Sequence, residues 1–189
     1  MNSFPQWFDI SYLKEGNNRQ KTCYEVLIET RILSILSDFT PVVIGTIPIE
    51  IDIPDSDLDI ACCASPKEIK EIVRRNFNNF PGFSDRLDNN IYVANFSYKG
   101  LAIEIYAEPQ PVENQNGFRH MIIEDRILKI AGNIFRHEIV KLKLSGYKTE
   151  PAFGKLLNMR NPYTELIDLN LLTDNELKLF INNTYEKNI

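Results

Sequence analysis

The chain has 189 residues, of which 43% are hydrophobic, enough for one domain or for a small sheet domain with a helical annex. A net charge of −5 argues against a broad phosphate-binding surface, so we expect no long nucleic acid as a partner. No apolar stretch approaches the ~18 residues of a membrane span, and the N-terminus lacks a secretory pattern, which predicts no membrane partner and a cytoplasmic location.

The first elements alternate between helix and strand. Apolar residues at helical spacing predict one amphipathic helix from Asn17 to Asp38. The sequence VVIG then predicts a short buried strand that ends on Gly45. Alternation over residues 47–53, interrupted by proline, predicts an edge strand, and DLDIACCA over residues 57–64 predicts the next strand.

The rest of the chain divides into a sheet part and a helical part. We predict a helix over residues 67–78, with Ser65 as its N-cap and Glu68 completing a capping box, and then a meander over residues 83–108. Helical patterns follow at residues 119–132, 133–146 and 173–187. The predicted fold class is therefore α/β, α+β in detail, with a core domain over residues 1–112 and a helical region over residues 113–189 packed on it.

Three acidic residues in the predicted strands are the main candidate site. Asp57 and Asp59 in SDLDI point to one face of a strand, roughly 7 Å apart at the backbone. Glu104, between two isoleucines, completes a cluster if its strand is a neighbour. Like charges ~4 Å apart repel by ~1 kcal/mol in water and ~4 kcal/mol at an effective dielectric near 20, so the cluster takes up protons or binds a cation. Hard divalent cations prefer oxygen ligands, whereas the alternative is a strand with a solvated face.

Other residues are candidate contacts for a bound phosphate. Gly45 lets a backbone approach a phosphate closely, and Thr46 adds a hydroxyl and an N–H group. Arg119 and His120 are predicted just before a helix, where His120 contacts a phosphate, transfers a proton or caps the helix.

Lysines of the helical part are further candidates. Lys141 and Lys148 are seven positions apart and share a face on a continued helix, whereas Lys143 does not. Together they balance the charge of a triphosphate, or they are solvated surface residues.

The order VVIGT, SDLDI and AIEIY resembles the nucleotidyltransferase superfamily related to DNA polymerase beta. The resemblance implies a mixed sheet flanked by helices, with Gly45 and Thr46 at the phosphate-contacting turn. It also implies that Asp57 and Asp59 bind metal and that Glu104 is the third carboxylate. Threonine replaces the usual serine or second glycine, and glutamate replaces the commoner aspartate. The whole chain, with GTIPIEIDI, GFRHM and YKTEPAF, is also similar to a family of small bacterial domains of unknown function.

The resemblance implies a metal-dependent nucleotidyltransferase that uses Mg²⁺ or Mn²⁺ and a nucleoside triphosphate. The nucleoside monophosphate is expected to pass to a hydroxyl of a small molecule or a protein. Gly45, Thr46 and Ser56 are expected to contact the phosphates. Two alternatives stay open: a non-catalytic nucleotide-binding or regulatory domain of this fold, and an antitoxin-like interaction protein whose acids are surface residues.

Overall fold

A five-stranded mixed sheet organises the first part of the chain. The computed structural model describes residues 4–185. They divide into one unit that holds residues up to 50 and residues 56–118, and another that holds residues 51–55 and 119 onward. The strands are β1 Val42–Ile44, β2 Leu58–Cys63, β3 Ser84–Asp88, β4 Ile91–Tyr98 and β5 Leu101–Glu108. Their order is β1-β2-β5-β4-β3, and only the β2–β5 pair is parallel.

Two tight turns build the predicted meander of β3, β4 and β5. Asn89 and Asn90 have φ of 46° and 65°, and Lys99 and Gly100 have φ of 50° and 80°. Two successive residues at positive φ are typical of the turn that matches the twist of a two-residue hairpin. Asparagine and glycine adopt this conformation readily, so both predicted turns are confirmed.

One face of the sheet carries the core of this unit. Leu58, Ile60, Ile103 and Ile105 are buried there, in the same core cluster as residues of α5 (Pro66–Phe77). The predicted helix over residues 67–78 is therefore confirmed, but its capping box is wrong. Ser65 is the N-cap residue and makes no side-chain capping bond, because the N–H of Glu68 bonds the carbonyl of Ser65 instead.

The helical N-terminal segment is broken where the sequence predicted one helix over residues 17–38. Arg31 has φ of 54° and ends the helix after Thr30, so the prediction of a single helix is wrong. Asn17 and Gln20 form a capping box at its start. The helices are α1 Pro5–Phe8, α2 Ser11–Glu15, α3 Asn18–Thr30 and α4 Ile32–Ile35, and short 3₁₀ turns lie at Ser37–Phe39, Val112–Asn114 and Leu169–Leu171.

The predicted edge strand over residues 47–53 is also wrong. Residues 47–50 form a turn and no ladder, and Glu50 has φ of 60°. The side chain of Gln20 donates to the carbonyls of Ile47 (3.1 Å) and Pro48 (3.3 Å), which replaces strand pairing there. The alternating isoleucines reflect burial instead, because Ile47, Ile49 and Ile51 are all buried.

The second unit is helical. Its first helix, α6 (Asn116–Leu144), begins in the first unit and has a non-helical residue at Gly132, with φ 82° and ψ −172°. The segments predicted as helices over residues 119–132 and 133–146 are its two limbs. In the core, the ring of Phe135 lies 5.8 Å from that of Phe153, centre to centre. The other helices are α7 Thr149–Leu156, α8 Pro162–Asp168 and α9 Asp174–Tyr185.

Within residues 4–185, no helix combines the length and apolarity that a bilayer crossing needs. The core domain over residues 1–112, the helical region over residues 113–189 and the cytoplasmic location stay predictions.

Candidate active site

The parallel pairing of β2 and β5 brings two of the predicted carboxylates side by side. Asp59 lies directly opposite Glu104 in the register, so the two side chains share one face of the sheet. Asp57 comes one residue before β2 and two before Asp59, which places it on the same face. The core occupies the opposite face, since Leu58 and Ile60 alternate with the acids. The strands are therefore neighbours, as the predicted cluster requires.

The carboxylates act on one another electrostatically. Burial raises the pKa of Glu104, and the negative charge of Asp57 raises it further. Arg86, an exposed residue of β3, opposes both effects and lowers the pKa of Glu104. Arg86 was not among the predicted site residues. Its position in the predicted meander, which also contains Glu104, could have indicated that it lies near this acid. This face of the sheet therefore carries negative charge. Among the described residues, Arg86 is the one cationic side chain that lowers the pKa of Glu104.

Gly45 makes room for Asp59 at the end of β1. Ile44 pairs with Asp59, so the turn that starts at Gly45 follows directly beside this aspartate. Gly45 has φ of 83°, and a Cβ at this position would lie 2.3 Å from Oδ2 of Asp59. A Cβ at this position would therefore force the carboxylate of Asp59 to move, and the positive φ also favours glycine.

Two hydroxyls lie together next to the acidic pair. The hydroxyl of Thr46 donates to Oγ of Ser56 at 3.4 Å. Nη2 of Arg19 donates to the main-chain carbonyl of Ser56. Nε of Arg19 is buried and makes no hydrogen bond to any described residue. Sequence reasoning missed Arg19 because it lies on α3, far from Ser56 along the chain, and no local pattern links the two.

The three carboxylates are more widely spaced than a single-ion site. Among the described residues, the group whose ligand atoms all lie within 4.8 Å of one another is His120, Glu124 and Glu150, not the acidic trio. In this structure the trio therefore does not form a compact cage for a single ion.

The predicted phosphate contacts of the helical region lie in the second unit. His120 is inside α6 and is buried, so the prediction that it precedes a helix is wrong. Burial lowers its pKa, with an opposing effect of Glu150 and a further lowering by Arg119. The main-chain carbonyl of Arg119 accepts a hydrogen bond of 3.4 Å from the side chain of Asn170.

The predicted shared face of Lys141 and Lys148 is wrong. Helix α6 ends at Leu144, and Gly146 follows with φ of 100°, so Lys148 is not on a continuation of this helix. Lys141 is exposed and pairs with Glu138 at 3.6 Å. Both lysines stay candidate substrate contacts.

Lys143, which the sequence set apart, is buried. Its residue exposure is 7%, and Nζ donates to the carbonyl of Ile51 at 2.8 Å. Glu124, one of the buried acids of this unit, has its pKa raised to about 8 by burial and by the charge of Glu150, whereas Lys143 lowers it. The pair His120 and Glu124 at i, i+4 on one helix face was a signal that sequence reasoning could have used.

Comparison with known families decides the membership of this chain. The family model for DUF4269, a domain of unknown function, matches residues 25–169. The chain belongs to the DUF4269 family. This agrees with the predicted similarity to small domains of unknown function. No curated protein matches the chain significantly.

Several solved structures, two of them named as polymerases, have a fold similar to that of this chain. The Cid1 poly(U) polymerase with MgGTP bound is 12% identical, with a TM-score of 0.58, and the match covers 82% of this DUF4269 chain and 54% of the polymerase. The polymerase core of TRAMP is 12% identical, with a TM-score of 0.51 and coverage of 94% and 60%. The GLD-2/RNP-8 complex is 12% identical, with a TM-score of 0.52 and coverage of 95% and 83%.

The structural likeness establishes the fold. The chain spans about half the length of the Cid1 polymerase that it matches. A likeness at 12% identity concerns the architecture, which is a nucleotidyltransferase-type mixed sheet flanked by helices. The fold class predicted from VVIGT, SDLDI and AIEIY is confirmed.

Proposed function

We propose that this DUF4269 protein transfers a nucleoside monophosphate from a nucleoside triphosphate to a hydroxyl group. The observation that carries the proposal is the direct register of Asp59 with Glu104 on the polar face of the sheet. Asp57 lies on the same face, and Gly45 begins the turn against Asp59. These residues follow the order of the nucleotidyltransferase pattern that the sequence resembles, with glutamate in place of the commoner aspartate.

The donor set fits Mg²⁺ or Mn²⁺. Asp57, Asp59 and Glu104 offer only carboxylate oxygens, which hard divalent cations prefer. The charge of Asp57 disfavours ionisation of Glu104, so a cation between the carboxylates would relieve a repulsion that the structure contains. We propose Asp57 and Asp59 as ligands, and Glu104 as a ligand or as the base. When bound, such ions neutralise charge on the phosphates and make the acceptor hydroxyl more acidic.

In the reaction that we propose, the acceptor hydroxyl bonds to the α-phosphorus, the bond from this phosphorus to its bridging oxygen breaks, and pyrophosphate leaves. Glu104 would take the hydroxyl proton, and its raised pKa favours this role because a base works best with a pKa nearer the working pH. Thr46 and Ser56 would donate hydrogen bonds to phosphate oxygens, and Gly45 would let the turn approach them. Arg119, Lys141 and Lys148 are further candidate contacts with the substrate.

The proposed acceptor of the nucleoside monophosphate is a hydroxyl group. A net charge of −5 favours a hydroxyl on a small molecule or a protein. Among the structural neighbours, one is named a poly(U) polymerase and another a cytoplasmic RNA terminal U-transferase. An acceptor panel for this chain should therefore contain a short oligoribonucleotide beside small-molecule and protein hydroxyls.

Thermal unfolding with each of the four nucleoside triphosphates, with and without Mg²⁺ or Mn²⁺, tests binding. A ligand at 100 times its dissociation constant stabilises the folded state by about 2.7 kcal/mol, or roughly 5–10 °C for a chain of this size. We expect a metal-dependent shift in wild type and none in Asp57→Asn/Asp59→Asn. Asp88→Asn, at the exposed end of β3, is the matched control and should shift as wild type does.

Catalysis is tested separately by release of pyrophosphate and by transfer of an α-labelled monophosphate to the acceptor panel. Transfer that Asp57→Asn abolishes supports the proposed reaction. Metal-dependent nucleotide binding without turnover on any acceptor would favour the non-catalytic nucleotide-binding domain. The absence of a shift with every nucleotide and metal would overturn the proposal and favour an interaction protein.

A further inference from the structure

A second cluster of metal-ligating side chains lies within the helical unit. His120 and Glu124 are four residues apart on α6, so their side chains lie one turn apart on the same face. Glu150 comes from the first turn of α7. One ligand atom from each of the three side chains lies within 4.8 Å of the other two. This cluster is formed by different residues and elements from the acidic strands of the first unit.

Two members of the cluster are buried and have unpartnered polar atoms. His120 is 8% exposed and Glu124 is 3% exposed. Nδ1 of His120 and Oε1 of Glu124 are both buried, and neither makes a hydrogen bond to a described residue. Buried polar atoms in native proteins nearly always have a partner, and one without a partner costs about 1–3 kcal/mol. Two such atoms in one three-residue cluster point to a ligand that accepts electron pairs from both.

The surroundings orient the imidazole as a ligand requires. The ring of His120 has a hydrogen bond with the main chain of Tyr163, whereas its Nδ1 makes none to a described residue and stays open to a ligand. Histidines that bind metals commonly use the second ring nitrogen for such an orienting bond. Glu150 is only half-buried, so the cluster is accessible from the side of this residue.

The mixture of nitrogen and oxygen ligands selects the class of ion. Mg²⁺ and Ca²⁺ prefer sets of oxygen ligands, whereas imidazole together with carboxylates suits divalent transition metals. Two carboxylates neutralise one divalent cation, and Lys143 carries a further positive charge that acts on Glu124. We propose that His120, Glu124 and Glu150 form a binding site for a divalent transition-metal ion of the Zn²⁺ type. Three protein ligands leave one position of a tetrahedral ion to water or a small anion.

The site would connect two helices of the second unit. Because two ligands come from α6 and one from α7, a bound ion would cross-link these elements and stabilise the unit. The alternative is a hydrogen-bonded ionic cluster with Lys143 that binds no metal, and it predicts no response to Zn²⁺.

Zn²⁺ binding to the full chain tests the proposal, in a background of Asp57→Asn/Asp59→Asn that removes the acidic pair of the first unit. Competition with a chromogenic chelator should give one bound Zn²⁺ per chain and a higher melting temperature. Glu150→Gln should weaken binding by at least about tenfold. Glu138→Gln, on α6 but outside the cluster, is the matched control and should bind Zn²⁺ as tightly as the background protein does.

A spectroscopic readout and a second variant complete the test. Co²⁺ in place of Zn²⁺ should give visible absorption bands that Glu124→Gln and Glu150→Gln change and Glu138→Gln does not. If Glu124→Gln fails to fold, Glu150→Gln alone decides, because Glu150 is half-buried. No bound Zn²⁺ in the background protein, or equal affinity in Glu150→Gln and Glu138→Gln, would overturn the proposal.

Discussion

The carboxylate of Asp59 occupies the space in which a side chain at Gly45 would begin. A Cβ on Gly45 would lie 2.3 Å from Oδ2 of Asp59, which is closer than a Cβ atom approaches its neighbours in folded proteins, and 3.2 Å from Cγ. The end of β1 and the first carboxylate of β2 therefore depend on each other, because Ile44 pairs with Asp59 across the ladder. The glycine of the turn and the aspartate of the next strand form a single structural feature.

Substitution Gly45→Ala should displace Asp59 and weaken the proposed metal site. The change has two costs: the positive φ of 83°, worth about 1–2 kcal/mol in a residue with a Cβ, and the collision with the carboxylate. We expect a lower free energy of unfolding and loss of the metal-dependent nucleotide shift. Chemical unfolding and thermal shift with Mg²⁺ and nucleotide measure both effects.

Gly100→Ala separates the two costs of the alanine substitution. Gly100 has φ of 80°, and a Cβ there would meet nothing within 4 Å. It should therefore show the backbone cost alone and keep the nucleotide shift. If both variants lose equal stability and Gly45→Ala still responds to nucleotide and metal, the close packing of Gly45 against Asp59 has no role in binding.

Two substitutions should move the pKa of Glu104 in opposite directions. The charge of Asp57 raises this pKa and the charge of Arg86 lowers it, while burial is the largest cause of the rise. Asp57→Asn should therefore lower the pKa of Glu104, and Arg86→Gln should raise it. NMR titration of the glutamate side-chain carbonyl carbons, with the Glu104 signal assigned by Glu104→Gln, measures both. Asp88→Asn is a control for a general change in charge.

The raised pKa of Glu104 makes the free energy of unfolding fall as pH rises. Between the ordinary glutamate pKa and the raised folded value, the folded protein binds more protons than the unfolded chain. The contribution of Glu104 to stability is thus present at low pH and is lost as pH rises through the folded pKa. In metal-free protein, Glu104→Gln should remove this pH-dependent fall in the free energy of unfolding, which urea unfolding at a series of pH values measures. An equal pH dependence in wild type and variant would contradict the assigned environment.

Most of the first unit could be predicted because its signals are local. Alternation in SDLDI placed Asp57 and Asp59 on one face, and the Asn89-Asn90 and Lys99-Gly100 pairs located both turns of the meander. Residues 47–53 alternate as a strand does, yet they form irregular structure. Their isoleucines are buried by tertiary packing, and the side chain of Gln20 satisfies backbone carbonyls that a partner strand would otherwise have bonded.

The helical unit was less predictable because its polar contacts connect distant residues. Periodicity identified the two limbs of α6 but could not show that His120 faces Glu150 across to α7. It likewise could not show that Lys143 reaches the carbonyl of Ile51, far away in the sequence. The spacing of seven residues favoured Lys141 and Lys148 as substrate contacts. Because most lysines on helices are solvated, nothing in the sequence indicated that Lys143 is buried.

The ion pair between Arg74 of α5 and Asp85 of β3 should determine how the free energy of unfolding falls at acidic pH. Nε of Arg74 lies 2.7 Å from Asp85, whose side chain is 6% exposed and also accepts from Tyr92 at 3.1 Å. Arg74 is the largest cause of the lowered pKa of Asp85. The stabilisation by Asp85 is present above its unfolded pKa, near 3.8, and is lost as pH falls through the lower folded value. Asp85→Asn should lower the free energy of unfolding by about 1–3 kcal/mol at neutral pH and weaken its dependence on pH in the acidic range. Urea unfolding at a series of pH values measures both effects.

Glu29→Gln is the matched control for this contact. Glu29 pairs with Lys99 at 2.6 Å, but both side chains are exposed, at 40% and 61%. Water screens such a pair, so the substitution should leave stability nearly unchanged. If both substitutions have the same effect, burial of Asp85 does not strengthen its ion pair.

Lys143 should stabilise the helical unit far more than Lys141, although the two lysines lie two positions apart on α6. Nζ of Lys143 donates to the carbonyl of Ile51 at 2.8 Å, and this residue is 7% exposed. Lys143→Met keeps the aliphatic length but leaves a carbonyl without this donor and Glu124 without a neighbouring cation. We expect a loss of about 1–3 kcal/mol in urea unfolding. Lys141→Met removes an exposed charge 3.6 Å from Glu138 and should stay within about 0.5 kcal/mol of wild type, so equal losses would refute the structural role of Lys143.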